Sequence, residues 1–202
     1  MKVFSLLLAT LFVTTSLVAQ PAVWKVDRAH SNVTFAVDYM VLTEVQGSFK
    51  EFDATMMTEG EDLKDASVKV TIMTASIYTE NEKRDAHLRA PDFFDAEKHP
   101  EITFVSKSFE NVEGDRYRII GDLTMRGVTK PVELDARYVG QARDPRGNTR
   151  AGFRGMTTIN RNGFGVKYNS RLADGGWLIG ENVAVTVNVQ FIRQQGQAST
   201  AK

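Results

Sequence analysis

Residues 183–191 read VAVTVNVQF. Val183, Val185, Val187, Val189 and Phe191 share one parity, and Ala184, Thr186, Asn188 and Gln190 share the other. Strict period-two alternation marks a strand with one buried and one wet face. The same pattern runs through most of the chain, over residues 23–27, 32–38, 49–58, 68–73, 102–109, 116–125, 131–139 and 150–159. Val33, Phe35 and Val37 oppose Thr34, Ala36 and Asp38; Val132, Leu134, Ala136 and Tyr138 oppose Glu133, Asp135 and Arg137. Glu113-Gly114-Asp115, Arg126-Gly127 and Asp144-Pro145-Arg146-Gly147 separate these runs with hairpin or type I turn chemistry. Eight or more antiparallel strands without a second core close into a barrel or pack as a sandwich. The inward residues are mostly Val, Phe, Ile, Leu and Met. Such a face either fills the axis or lines an elongated apolar pocket, since alternation reports burial and not emptiness.

One stretch breaks the pattern: SIYTENEKRDAHLRAPDFF, residues 76–94. Thr79-Glu80-Asn81-Glu82 has the form of a capping box. Two helical turns follow, residues 82–89, and Pro91 disfavours continuation through Ala90. A helix this short and polar must dock. Leu88, Phe93 and Phe94 are its means of docking, over one end of the strands.

Met1-Lys2, the apolar run 3–18 and Ala19 form a secretory signal, with cleavage after Ala19. About 183 residues remain, one domain with a substantial core (20–193) and a frayed tail (194–202). Without Lys2 the 25 basic residues become 24 against 25 acidic ones, a net charge near −1. Nucleic acid is therefore a poor partner. There is no cysteine, which removes thiol chemistry and Cys-ligated metals. The three histidines, 57 and 12 positions apart, show no metal-ligand spacing. No G-x-S-x-G element is present. A rival reading is a periplasmic isomerase or hydrolase using His30, Asp85 and His87 at a barrel mouth.

The blocks WKVDRAHSNVTFAV, GSFKEFDA, ASIYTENEKRDAHLRAPDFFDAEKHPEITF, GDLTMRGVTKPVEL and INRNGFGV together resemble the YceI-like family of bacterial periplasmic proteins. The resemblance covers nearly the whole exported chain. It implies an all-β, extended eight-stranded antiparallel lipocalin-like barrel with a short helix over one end. It also implies a lumen holding a long polyisoprenoid, such as a prenyl diphosphate or an isoprenoid quinone, with no catalytic cofactor. A homodimer and transient membrane contact go with that reading. Where the family usually has His in an FxVxHL stretch, this chain has Phe35-Ala36-Val37-Asp38-Tyr39-Met40. Tyr39 is a neutral phenol at pH 7, which shifts the expected head group from diphosphate toward a quinone ring.

On that reading the tail contacts Phe35, Val37, Phe49, Ile72, Phe104, Leu123, Phe153 and Val187. Tyr39, Leu88, Phe93, Phe94, Phe164 and Trp177 stand near the openings. Head-group candidates are His30, Arg84 and His87, with Arg161 in reserve, because these are the donors suited to an oxygen-rich group. Asp85 is better placed to lock the helix to the rim.

Overall fold

The computed structural model describes residues 21–59, 63 and 65–194. The expected signal segment 1–19 and residues 195–202 of the expected tail lie outside them. Gln194, expected to open that tail, instead donates its backbone N–H to the Val23 carbonyl at 2.7 Å.

The strands are β1 (Ala22–Val26), β2 (Asn32–Tyr39), β3 (Thr43–Phe49), β4 (Phe52–Thr58), β5 (Ser67–Met73) and β6 (Ile77–Tyr78). After α1 (Glu82–Arg89) come β7 (Glu101–Glu113), β8 (Arg116–Met125), β9 (Val128–Arg143), β10 (Thr149–Asn160) and β11 (Ile179–Arg193). All neighbours pair antiparallel. One edge of β11 carries β10; the other carries first β2 and then β1. β1 and β2 are thus two halves of one wall, as are β3 with β4 and β5 with β6. Counted this way there are eight walls, and the β1–β11 pairing closes the barrel.

The single strand expected over 49–58 is therefore corrected. β3 begins at Thr43 and the chain bends at Lys50-Glu51 before β4. Sequence pattern missed β3 because Glu44, Gln46 and Ser48 alternate only with Val45 and Gly47, so neither face is clearly apolar. At the bend Lys50 donates its N–H to Ser76 O and Met73 its N–H to Glu51 O, which carries the ladder across the corner.

Two of the register shifts along the strands set which residues face inward. In β7 the register shifts between Ser106 and Ser108, so Ile102 and Phe104 point inward and then Phe109 does. A second shift, at Gly152/Phe153 in β10, sets Phe153 opposite Tyr138 and leaves Val139 exposed. Gly121 allows close packing that no side chain would: a Cβ there would lie 2.5 Å from Phe104 Cζ.

The helix spans its expected residues, but its cap differs. Asn81 Oδ1 accepts the Arg84 N–H at 3.0 Å, and Glu80 turns through a left-handed conformation. Thr79 is thereby freed for Asp85, described below. Leu88, Phe93 and Phe94 pack into an upper apolar cluster with Phe49, Ile77 and Ile102. A lower cluster gathers Trp24, Met56, Phe109, Phe153 and Phe191. The β2–β3 hairpin turns on Met40 (φ 56°) and Val41 (φ 61°). Left-handed geometry costs roughly 1–2 kcal/mol per residue outside glycine, and a β-branched residue resists it most.

Candidate functional site

The inward side chains do not meet at the axis. They enclose a cavity of about 1120 Å³, lined from every one of the eight walls and from α1. Phe35, Val37, Phe49, Ile72, Phe104, Leu123, Phe153 and Val187 line it, as do Tyr39, Leu88, Phe93 and Phe94.

Three expected site residues stand elsewhere. Phe164 is buried in the upper cluster, with Lys130 Nζ 6.0 Å above its ring, and is not part of the lining. The one-turn helix Arg161–Phe164, capped by the Asn160 side chain, turns the ring into the wall. Trp177 is 45% exposed and stacks on the Arg171 guanidinium, 3.9 Å from the ring centre. His30 is exposed, with Nδ1 2.9 Å from Asp27 Oδ2, and lies outside the cavity lining. The set His30, Asp85 and His87 is therefore not gathered into one cavity-facing site.

The other polar candidates do reach the cavity, in different ways. Arg84 Nε donates to Thr79 Oγ1 at 2.7 Å and its Nη2 to Thr79 O. His87 packs edge-on against Phe93 and Tyr168, with ring centres 4.9 and 4.7 Å away, and its Nε2 lies 3.2 Å from Asp92 Oδ2. Arg161 is buried, and its donors go to backbone. Nε reaches Gly180 O at 2.8 Å, Nη1 reaches Val166 O and Tyr168 O at 2.8 and 2.9 Å, and Nη2 reaches Ile179 O at 3.4 Å. Burial pushes this guanidinium below its usual pKa, with nearby Glu181 acting in the opposite direction. Arg161 staples the segment after β10 to the start of β11; its charge is spent on carbonyls. Among the described residues no three His, Cys, Asp or Glu side chains gather as a metal ion needs.

A YceI-like domain model matches residues 24–191, through the barrel just described. The chain belongs to the YceI-like family. It is 36% identical over 179 residues to a UPF0312 protein of Pectobacterium atrosepticum, covering 88% of this chain and 90% of that one. A UPF0312 protein of Staphylococcus epidermidis is 35% identical over 166 residues, 82% of this chain and 94% of the relative. Among solved structures, the Campylobacter jejuni YceI protein superposes with a TM-score of 0.66 at 29% identity, covering 78% of this chain and 90% of that one. A polyisoprenoid binding domain from Saccharophagus degradans, implicated in plant cell wall breakdown, matches with a TM-score of 0.62. At 12% identity, over 85% of this chain and 98% of that one, the likeness is one of fold.

This YceI-like barrel also uses residues that the sequence reading passed over. Val183, Val185, Val189 and Phe191 line the cavity with Val187, and their shared parity was sufficient to name them. Phe109 was hidden by the β7 bulge. Tyr168 belongs to an irregular segment without period, and only its ring contacts place it at the cavity. Asp38, Glu44, Glu80 and Lys83 add a polar, mixed-charge border. Such a site offers a mainly apolar enclosure with a polar border, suited to holding a chain-like molecule.

Proposed function

We propose that this YceI-like protein is a periplasmic carrier or buffer for a long polyisoprenoid lipid held inside the barrel. The observation that carries the reading is the hollow of about 1120 Å³ behind a predominantly apolar wall. At about 30 Å³ per water-sized group, it takes on the order of forty heavy atoms. The fold it shares with a protein described as a polyisoprenoid binding domain supports the same ligand class.

Energetics favour carriage over irreversible capture. Forty carbons at ~0.8 kcal/mol per buried CH₂ would sum to roughly 30 kcal/mol, beyond the ~20 kcal/mol at which affinities saturate. A membrane lipid starts with its tail already dry, so transfer into an apolar barrel is close to neutral. Net preference then rests on the head group. Arg161 is committed to carbonyls, Tyr39 is neutral, and Asp38, Glu44 and Glu80 balance Lys83, Arg84 and Arg154 around the cavity, leaving no net positive charge for an anionic head group. Those facts favour an uncharged quinone ring over a diphosphate.

Mass spectrometry of organic extracts from protein purified without refolding tests this. The expected result is a prenyl lipid at near-stoichiometric yield, strongly reduced in Ala136→Phe, whose ring would project from β9 into the cavity. Repeated extracts free of any prenyl lipid would sink the reading.

A further inference from the structure

The β2–β3 hairpin ends in Met40-Val41-Leu42. Val41 is 86% exposed and Leu42 79% exposed. Both Met40 and Val41 hold left-handed backbone, a geometry for which Asn-Gly is the preferred pair. Three apolar side chains are thus displayed at a turn that in water favours small polar ones. The tip does not stand alone. Met40 donates its N–H to Leu178 O at 2.8 Å, which brings it beside the half-exposed Trp177 on Arg171. Its base is also part of the site, since Tyr39, Thr43 and Leu178 line the cavity.

The geometry points to a membrane-docking surface, in which the Met40–Leu42 tip and Trp177 seat this end of the cavity on a lipid bilayer. A bilayer fits better than a second copy. Three projecting side chains fall far short of the ~1,000 Å² that a specific protein contact needs, whereas a wedge entering lipid needs no complementary partner. Trp places its amphipathic ring at the headgroup level, and Arg171 keeps its charge in water above it. Asp38, Glu44 and Glu80 offset Lys83, Arg84 and the Arg171 stacked on Trp177, so these named groups carry no net positive charge. Docking is therefore carried by insertion of apolar groups, not by attraction to anionic lipid. Its purpose rests on the carrier reading, because a lipid leaving a bilayer must enter through an opening of this cavity. The insertion itself does not depend on it.

Co-sedimentation of the exported, processed protein with phosphatidylethanolamine vesicles, with and without phosphatidylglycerol, tests the docking. Wild type is expected to bind both kinds, with little loss at raised salt. Val41→Asn combined with Leu42→Ser is expected to need on the order of thirtyfold more lipid, since two aliphatic side chains leave the interface. The fold should not suffer, because Asn accepts left-handed backbone. Brominated lipid should quench Trp177, while Trp24, only 5% exposed, is out of reach. Absence of wild-type binding, or equal binding by the variant, overturns the proposal. So does a variant that merely turns a dimer into a monomer, which would make the tip a contact between copies. Vesicle binding without any extractable prenyl lipid would remove the carrier reading and leave the docking; the reverse pair of results would remove the docking alone.

Discussion

Thr79 and Asp85 are joined twice: Asp85 Oδ1 accepts the Thr79 backbone N–H at 2.9 Å and the Thr79 hydroxyl at 2.5 Å. The same hydroxyl accepts from Arg84 Nε at 2.7 Å. Both Thr79 and Asp85 are buried. This chain of bonds fastens α1 to the end of β6, so the helix is held as a cover by polar groups as well as by Leu88 and the phenylalanines.

Asp85→Ala is expected to cost about 3 kcal/mol, because it strands a buried N–H and hydroxyl that had a charged acceptor. Asp85→Asn keeps one acceptor oxygen and is expected to lose about half as much. Urea unfolding at neutral pH measures both. Equal stability of Asp85→Ala and wild type would show that the helix is held by its apolar side alone.

Arg161→Met is expected to lose about 3 kcal/mol, as the carbonyls of Val166, Tyr168, Ile179 and Gly180 lose their shared donor. Arg161→Lys should rescue little of this, because an ammonium cannot span the four carbonyls with the geometry of a planar fork. Hydrogen exchange should speed up between residues 166 and 180. A Lys variant as stable as wild type would contradict the stapling role.

Acid stability should depend on the carboxyls around Arg150. Burial pushes Asp27 up, but hydrogen bonds from Arg150, His30 and the Ala29 N–H outweigh it and leave its pKa below the ordinary 3.8. Asp144 is held far below that value, first by the Asn148 side chain and, against an opposing desolvation, by Arg150 and the N–H groups of Asn148 and Arg146. Depressed carboxyl values mean stability that is present above the unfolded pKa and lost as pH falls below it. Urea midpoints should therefore hold steady from neutral pH to about 5 and drop below about 4. Arg150→Gln should lower the neutral plateau and flatten that drop. An unchanged acid slope in the variant would remove Arg150 from the account.

Two interior glycines should respond oppositely to the same methyl group. In Gly121→Ala the new Cβ lies 2.5 Å from the Val105 carbonyl oxygen, which is backbone and cannot yield, so a loss of about 3 kcal/mol is expected. In Gly155→Ala the nearest atom is Leu134 Cδ2 at 3.6 Å, and the methyl faces the hollow. There the change should be neutral or favourable by about 0.5 kcal/mol, through a stiffer unfolded chain. Thermal melts of the two variants compare them directly; an equal loss in both would mean that the barrel is packed at Gly155 as tightly as at Gly121.

The sequence by itself determined which side chains leave water. Period two in β11 and β2, the turns at Gly114, Gly127 and Gly147, and the span of α1 were all legible, because each depends on neighbours close along the chain. Tertiary structure alone decided what those buried faces surround. Alternation records which way a side chain points, and the distance to the opposite wall is set by how eight walls close, so the hollow has no local signature. For the same reason the donors of Arg161 and the places of Phe164, Trp177 and His30 were not readable in advance. Each is fixed by partners that the chain brings together only on folding, whether a stapled loop, a wall or a stacked cation.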